Sequence, residues 1–237
     1  MTKIMISHMN QIRQAVILAA GIGSRLKSFT ENKPKALMPI ADEAAIVHII
    51  RHLVSQGIHD IAINIHHHAE QIRQTLGNGS RFNANLHYSY EETLLDSGGG
   101  VRTAMDLLPD ADLLAVYNAD IISDIDLHRL SSLCPYRGCA LALVDNPKHN
   151  QDGDFSLNGQ HVIQKNMPNY TFTGVSVWHK ETLLTRPAQQ KFSLVELIQD
   201  DINAKQCLGV RHQGYWFDIG RPHDLFKAKR FLRERYA

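Results

Sequence analysis

AVILAAGIGSRL, residues 15–26, joins a short apolar run to a loop that contains two glycines and an arginine. A short apolar run that enters a glycine-rich loop is typical of a parallel strand buried on both faces of a sheet. In open α/β sheets, ligands bind outside the carboxyl ends of such strands. This stretch therefore predicts the first strand of an α/β sheet, with a ligand-binding loop at its end.

Strand-like and helix-like patterns alternate along the first half of the chain. Apolar runs typical of strands occupy residues 15–20, 61–65, 86–90 and 113–117. Amphipathic patterns typical of helices occupy residues 46–56, 69–76 and 100–108. Because loops of a few residues connect these segments, the alternation predicts a Rossmann-like, doubly wound α/β sheet whose strands end at one common edge.

The second half of the chain contains more strand patterns than helical ones. The strand patterns occupy residues 140–144, 161–165, 172–178 and 208–212. The helical patterns occupy residues 194–204 and 222–236. This imbalance predicts a mixed sheet whose latter half closes over a pocket. Because neither a repeat nor a linker interrupts the chain, we predict a single domain over residues 15–237, preceded by a flexible extension, residues 1–14.

The composition argues against several classes of partner. The 25 basic and 24 acidic side chains give a net charge of +1, whereas nucleic-acid-binding proteins normally have a basic excess. No apolar run approaches the roughly 18–20 residues that span a membrane. The three cysteines, Cys134, Cys139 and Cys207, include no Cys-x-x-Cys pair, which indicates reduced thiols. We therefore expect a cytoplasmic protein with small-molecule substrates and without nucleic-acid or membrane partners.

The glycine loop after the first strand fits an anion site better than two other known loops. A P-loop would need a Gly-Lys pair followed by Ser or Thr, and a dinucleotide fingerprint would need glycine where Leu26 stands. Gly21 and Gly23 let backbone N–H groups approach an anion, and Arg25 adds a planar fork suited to phosphate. A plain turn with solvated cations is the alternative. The Pro-Lys pair that ends at Lys35 favours phosphate binding.

LAAGIGSRL followed by KPKALMPI resembles the signature of the sugar-1-phosphate nucleotidyltransferases. Three further segments match the family's motifs in order: Asn-Ala-Asp at 118–120, Phe-Thr-Gly-Val at 172–175 and Tyr-Trp-Phe-Asp-Ile-Gly at 215–220. The resemblance covers most of the chain from Val16 onward. It implies the nucleotide-diphospho-sugar transferase fold and attack by a sugar 1-phosphate on the α-phosphorus of a nucleoside triphosphate. This reaction needs positioning and charge neutralisation rather than a protein nucleophile.

The resemblance also implies a role for each of a set of residues. These are Arg25, Lys35 and Asp120 in catalysis, Ala20, Gly21, Gly23, Ser97, Gly98 and Gly99 in nucleotide binding, Asn118, Asp154, Lys165 and Gly174 in sugar-phosphate binding, and Asp120 and Asp218 as ligands of Mg²⁺. Carboxylates that act together with phosphates suit Mg²⁺, although a lone aspartate after a strand is more often a turn residue. Turn capping is also the alternative for Asp154, and an exposed strand lysine is the alternative for Lys165.

A second glycine loop, residues 94–104, resembles that of one particular group within this family. Its Ser-Gly-Gly-Gly form, the preceding Tyr-Glu segment at 88–92 and the stretch at 146–149 resemble the small bacterial N-acetylmuramic acid 1-phosphate uridylyltransferases. That resemblance implies UTP and N-acetylmuramic acid 1-phosphate as substrates. The sequence departs from the family where Ala119 replaces glycine beside the metal aspartate and where Gln164 replaces glutamate.

Several alternatives remain open at this stage. GTP with mannose or heptose 1-phosphate would use the same chemistry, and a nucleotide-binding regulatory module would keep the fold without turnover. A dinucleotide oxidoreductase is a third hypothesis. The tract His66-His67-His68 is interpreted as a strand-end loop rather than a metal site, because adjacent strand residues face opposite sides of a sheet. The basic segment 222–236 is interpreted as a docked terminal helix rather than a membrane-surface helix.

Overall fold

A computed structural model describes residues 12–21 and 33–236 of the chain. Its strands, in chain order, are β1 (Gln14–Leu18), β2 (Pro39–Ile40), β3 (Glu43–Ala44), β4 (Asp60–Ile65), β5 (Asn85–Tyr90), β6 (Leu113–Asn118), β7 (Ile121–Ser123), β8 (Cys139–Val144), β9 (Phe155–Asn158), β10 (His161–Gln164), β11 (Asn169–His179), β12 (Cys207–Arg211) and β13 (Trp216–Asp218). Its α-helices are α1 (Ala45–Ser55), α2 (Ala69–Leu76), α3 (Asp96–Ala104), α4 (Leu127–Leu133), α5 (Lys180–Leu183), α6 (Leu194–Asn203) and α7 (Pro222–Tyr236). Short 3₁₀ turns cover Lys35–Leu37, Ser80–Phe82 and Met105–Leu107.

Nine of these strands form one mixed sheet in the order β5-β4-β1-β6-β11-β8-β12-β10-β9. The first four are parallel, and β11 runs antiparallel to both of its neighbours, β6 and β8. The strand order reverses between β1 and β6, which is where ligands of doubly wound sheets bind. The predicted α/β class with a mixed second half is therefore confirmed.

Helices cover both faces of the sheet, and β1 contributes to the core on each face. Ala15 and Ile17 pack on the side of α1, α2 and α7, whereas Val16 packs on the side of α3 and α6. This alternation explains why the opening apolar run has no polar face. The predicted extension overlaps the fold at its end, since Ile12 is buried and Gln14 begins β1. Residues 1–11 lie outside the described part of the chain.

The helix α3 begins four residues earlier than the sequence pattern predicts. The prediction that Gly98, Gly99 and Gly100 lie in a loop is wrong, because all three are helical and buried. A Cβ at Gly98 would clash with the Phe192 ring, and one at Gly99 would clash with the Gln190 carbonyl oxygen. The glycines therefore allow α3 to approach its neighbours closely, although glycine lowers intrinsic helix propensity by about 1 kcal/mol per residue.

No helix among residues 12–21 and 33–236 is long and apolar enough to cross a bilayer. The basic C-terminal segment forms α7 over the range that the sequence predicts. Leu225, Ala228 and Leu232 of this helix are buried in the core beside α1. The docked-helix interpretation is thereby confirmed.

Candidate active site

Two cavities flank the carboxyl ends of β1 and β6. The β1–α3 cavity has a volume of about 430 Å³, and its lining includes Ala20, Gly21, Asn64, Glu91, Ser97 and Lys191. The β11–β13 cavity has a volume of about 400 Å³, and its lining includes Asn150, Asp154, Thr173, Gly174, Trp216 and Arg221. Asn118 and Asp120 line both cavities. Ligands in the two cavities would therefore meet at these two residues.

Asp120 forms an ion pair with Lys35 at the boundary between the cavities. Lys35 begins a 3₁₀ turn directly after Pro34, so its backbone is fixed on the preceding side by a proline ring. Its side chain is 14% exposed and that of Asp120 is 25% exposed, so each remains accessible to a bound phosphate. The structure thus brings together two of the three predicted catalytic residues. The third, Arg25, lies outside the described residues, as does Gly23.

Asp218 is held near Asp120 by a small two-stranded sheet. β7 follows Asp120 directly and pairs antiparallel with β13, so that Ile121 is opposite Asp218. The Ile219 N–H donates to the Asp120 carbonyl oxygen at 2.9 Å, and the Gly220 N–H donates to Asp218 Oδ1 at 2.8 Å. A Cβ at Gly220 would lie 2.8 Å from Lys35 Nζ. The Lys35 ammonium therefore lies beside both predicted metal ligands.

The two aspartates offer the oxygen donors that Mg²⁺ prefers. The described residues contain no group of three or more His, Cys, Asp or Glu side chains arranged to hold a metal by themselves. A cation bound here would complete its coordination shell with phosphate oxygens and water, which is the usual way in which Mg²⁺ binds with a nucleotide. The donor set formed by Asp120 and Asp218 therefore fits Mg²⁺ bound together with a substrate.

A buried side-chain pair, not predicted from the sequence, supports the loop after β1. Asn64 Oδ1 accepts from the Ala19 N–H at 2.7 Å, and its Nδ2 donates to Glu91 Oε1 at 2.7 Å. The second carboxylate oxygen of Glu91 accepts from the Leu95 N–H at 3.0 Å, just before α3. Both side chains are only 3% exposed. The pair thus connects the predicted phosphate loop to the start of α3, and a polar residue within an apolar strand is the signal that could have found it.

The five predicted nucleotide-binding residues that the structure describes divide into two groups. Ala20, Gly21 and Ser97 line the β1–α3 cavity. Gly98 and Gly99 do not belong to the described lining, and both of their N–H groups donate to the Phe192 carbonyl oxygen, at 3.0 and 3.1 Å. Their predicted contact with a nucleotide stays a prediction. Lys191, which no motif in the sequence indicated, adds a cation to the lining of the same cavity.

Three of the four predicted sugar-phosphate residues line the β11–β13 cavity: Asn118, Asp154 and Gly174. Gly174 has a φ of +79°, and a Cβ there would lie 2.5 Å from Asn118 Nδ2. Asp154 accepts from the Phe172 N–H at 2.8 Å and from Asn150 Nδ2 at 3.1 Å. Lys165 is exposed just beyond β10 and is not part of the lining that the structure describes.

Trp216 and His149 form one wall of the β11–β13 cavity. Their ring centroids lie 6.5 Å apart in a stacked arrangement, and the indole Nε1 donates to the Thr173 carbonyl oxygen at 3.0 Å. His149 Nε2 is 3.8 Å from Asp218 Oδ2, and Nδ1 is 3.9 Å from Asp224 Oδ2. His149 lies in the stretch 146–149 that carries part of the resemblance, but its role was not predicted.

Two other features of the sequence have simple structural explanations. The Ala119 methyl, which replaces the family's glycine, packs in the hydrophobic core and is not part of the described lining of either cavity. His66 Nδ1 lies 2.8 Å from the Glu91 carbonyl oxygen, so it helps to fix the segment that follows β5. The rings of His67 and His68 pack against each other with centroids 3.8 Å apart. These histidines therefore belong to a loop at the end of β4.

Comparison with known proteins identifies the family. The nucleotidyl transferase family model matches residues 14–235. The chain belongs to the nucleotidyl transferase family. It is 33% identical over 224 residues to an N-acetylmuramate alpha-1-phosphate uridylyltransferase of Neisseria meningitidis, covering 91% of this chain and 96% of that protein. It is 26% identical to a D-glycero-alpha-D-manno-heptose 1-phosphate guanylyltransferase of Campylobacter jejuni, covering 90% of this chain and 97% of the relative.

A solved structure supports the fold of this nucleotidyl transferase. HddC from Yersinia pseudotuberculosis, complexed with GMP-PN, superposes with a TM-score of 0.76 at 22% identity, covering 93% of this chain and all of that one. The predicted family resemblance, the predicted fold type and the predicted enzyme class, a sugar-1-phosphate nucleotidyltransferase, are confirmed. The dinucleotide oxidoreductase alternative receives no support from these relatives.

Proposed function

We propose that this enzyme transfers a uridylyl group from UTP to N-acetylmuramic acid 1-phosphate, giving UDP-N-acetylmuramic acid and pyrophosphate. The observation that carries the proposal is the pair of cavities that share Asn118 and Asp120. Two substrates bound in adjacent cavities with a common acidic boundary are held for direct transfer, which requires no covalent enzyme intermediate. The Neisseria meningitidis relative supports this choice of substrates.

The nucleotide occupies the β1–α3 cavity in this proposal. Its triphosphate lies against the loop after β1, where Ala20 and Gly21 line the cavity. The Asn64–Glu91 pair holds the start of that loop through the Ala19 N–H. Arg25, in the same loop, is expected to stabilise the leaving pyrophosphate. Its positive charge, like that of Lys191 at the cavity wall, attracts the negative triphosphate.

The sugar 1-phosphate occupies the β11–β13 cavity and supplies the nucleophile. A phosphate oxygen forms a new bond to the α-phosphorus, and the bond from that phosphorus to the bridging β-phosphate oxygen breaks, so that pyrophosphate leaves with the bonding electrons. Lys35 lies beside Asp120 and Asp218, where it can neutralise charge on the reacting phosphates. Mg²⁺, held by the two aspartates when bound, would supply further charge neutralisation.

A guanylyltransferase of heptose or mannose 1-phosphate is the second candidate, and the Campylobacter jejuni relative is the observation that favours it. That relative is 26% identical to this chain, against 33% for the uridylyltransferase, at similar coverage. A cytoplasmic location is part of the proposal as well. It agrees with three free thiols, two of them buried, at Cys134, Cys139 and Cys207.

Pyrophosphate release tests the proposal directly. The purified enzyme with Mg²⁺ is offered each of the four common nucleoside triphosphates against N-acetylmuramic acid, N-acetylglucosamine, mannose and heptose 1-phosphates. We expect the highest kcat/KM with UTP and N-acetylmuramic acid 1-phosphate. A preference for GTP with mannose or heptose phosphate would replace the proposal by the second candidate. Nucleotide binding without release from any pair would indicate a regulatory module.

A further inference from the structure

Arg221 lies at the wall of the β11–β13 cavity, between Gly220 and the first residue of α7. Its side chain is half-buried, and it makes no ion pair or side-chain hydrogen bond within residues 12–21 and 33–236. Arginine carries its charge at all physiological pH values and presents several N–H donors in one plane. A half-buried guanidinium that faces a cavity without a protein partner is suited to an anionic ligand.

The other charged groups around this cavity already have partners. Asp120 pairs with Lys35, and Asp154 accepts two hydrogen bonds. On the far side of Trp216, Arg211 pairs with Asp145, and Lys227 Nζ lies 3.9 Å from Asp224 Oδ1. These basic side chains are therefore compensated by carboxylates of the chain itself. Within the described lining of the β11–β13 cavity, Arg221 is the cation that remains available to a ligand.

We propose that Arg221 binds a carboxylate on the sugar of the sugar 1-phosphate and so selects an acidic sugar over its neutral counterpart. This inference rests on the proposed function, because it assumes that the β11–β13 cavity receives the sugar phosphate. N-acetylmuramic acid differs from N-acetylglucosamine by a lactyl ether that carries one carboxylate. A guanidinium and a carboxylate form a planar, two-pronged hydrogen-bonded pair, which neutral sugars do not offer.

The acidic surroundings make such a cation necessary. Asp120 pairs with Lys35, but the cavity lining also includes the carboxylates of Asp154 and Asp218, which would repel a carboxylate on the substrate. Without a compensating cation, an acidic sugar would bind less tightly than a neutral one. The positive charge of Arg221 would make the cavity bind the acidic sugar more tightly than the neutral one. The competing role for Arg221 is contact with the phosphate, which acidic and neutral sugar phosphates have in common.

Product binding separates these roles without depending on turnover. Isothermal titration calorimetry measures the Kd of UDP-N-acetylmuramic acid and of UDP-N-acetylglucosamine for the wild type, Arg221→Gln, Arg221→Lys and Arg233→Gln. Arg233 is an exposed arginine of the same helix and serves as the matched control. Steady-state kcat/KM with the two sugar phosphates and UTP is measured alongside, and circular dichroism confirms that each variant is folded.

We expect Arg221→Gln to weaken binding of the acidic product by about ten- to a hundredfold, the usual effect of losing a hydrogen-bonded charge pair. Binding of the neutral product should change less than about threefold, Arg221→Lys should restore part of the preference, and Arg233→Gln should match the wild type. Equal losses for both products would overturn the inference in favour of phosphate contact. An unchanged Kd for both products in Arg221→Gln would overturn it as well. Absence of pyrophosphate release in the kinetic assay would count against the proposed function instead.

Discussion

The amide of Asn64 and the carboxylate of Glu91 form a buried hydrogen bond of 2.7 Å between the ends of β4 and β5. Through it, the Ala19 N–H at the start of the predicted phosphate loop is connected to the Leu95 N–H at the start of α3. A Cβ at Gly100 would lie 2.5 Å from Asn64 Nδ2, so the glycine in α3 leaves the room that this pair requires. Two segments of the β1–α3 cavity are therefore fixed by one polar contact in the protein interior.

Asn64→Leu should lower both stability and nucleotide affinity. The variant keeps the branched shape and the number of side-chain heavy atoms, but it removes the side-chain acceptor of the Ala19 N–H and leaves one oxygen of the buried Glu91 carboxylate without its donor. We expect a loss of about 2–4 kcal/mol in the free energy of unfolding, measured by urea denaturation. The KM for the nucleotide should rise about tenfold.

Asn85→Leu is the matched control for that prediction. Asn85 hydrogen-bonds Asp60 on the same two strands, but on the exposed surface. Its loss should cost less than about 0.5 kcal/mol and leave the nucleotide KM unchanged. If Asn64→Leu behaved like this control, the Asn64–Glu91 pair would have no role in holding the loop.

Asp120→Asn should nearly abolish turnover while the fold stays intact. Asparagine has almost the same volume but lacks the negative charge that a metal ligand needs. We expect kcat to fall by about a thousandfold or more, with thermal unfolding little changed. Asp126→Asn is the control, because Asp126 caps α4 by accepting from the Arg129 N–H, and asparagine caps helices equally well. Wild-type activity in Asp120→Asn would exclude Asp120 as a metal ligand.

The main strands could be predicted from the sequence because burial on both faces of a sheet requires uninterrupted apolar runs. The helix α2, which has polar ends and an apolar face, was predicted with the bounds that the structure shows. The three-residue strands β7 and β13 were missed, since so short a segment has no detectable period. Yet these two strands bring Asp120 and Asp218 together. The family resemblance identified both aspartates, but no local sequence pattern indicated that they lie close to each other.

Contacts between distant residues account for what the sequence did not reveal about the site. The start of α3 was misplaced because consecutive glycines are poor helix formers, and only packing against Phe192 makes them suitable there. The Asn64–Glu91 pair joins residues 27 positions apart. The polar Asn64 within an apolar strand marks one member of the pair, but no local pattern identifies its partner or the packing of the glycines, so both relationships depend on the tertiary structure.

Gly174→Ala should impair sugar-phosphate binding by displacing Asn118. Gly174 has a φ of +79°, and an added Cβ would lie 2.5 Å from Asn118 Nδ2 at the boundary of the two cavities. Gly159→Ala is a close control, since Gly159 has a φ of +61° but no heavy atom within 4 Å of an added Cβ. Both variants bear the cost of a left-handed backbone, about 1 kcal/mol.

The difference between the two glycine variants isolates the contact with Asn118. We expect Gly174→Ala to lose about 1–3 kcal/mol more stability than Gly159→Ala, because overpacking adds to backbone strain. The KM for the sugar phosphate should rise about tenfold in Gly174→Ala alone. Equal stability losses and equal KM values would show that the side chain of Asn118 tolerates displacement.

Asp201 makes the stability of the protein depend on pH. This aspartate of α6 is 6% exposed, and its Oδ2 has no hydrogen-bond partner among the described residues. Burial raises the pKa of Asp201 to about 6, although a hydrogen bond with the Cys139 thiol opposes the shift. Because the pKa is higher in the folded state than the ordinary 3.8, the folded protein holds this proton more tightly. Its contribution to stability is complete below pH 4 and is lost as the pH rises through 6.

Asp201→Asn should therefore stabilise the protein at pH 8 and not at pH 4. The substitution removes a buried charge that is present only at the higher pH, and we expect a gain of about 1–3 kcal/mol in the free energy of unfolding there. Urea denaturation at the two pH values measures it. Asp145→Asn is the control, since Asp145 is largely exposed and pairs with Arg211 at the surface. An equal gain from Asp201→Asn at both pH values would mean that its ionisation does not limit stability, because a neutral Asp201 would then be as unfavourable as a charged one.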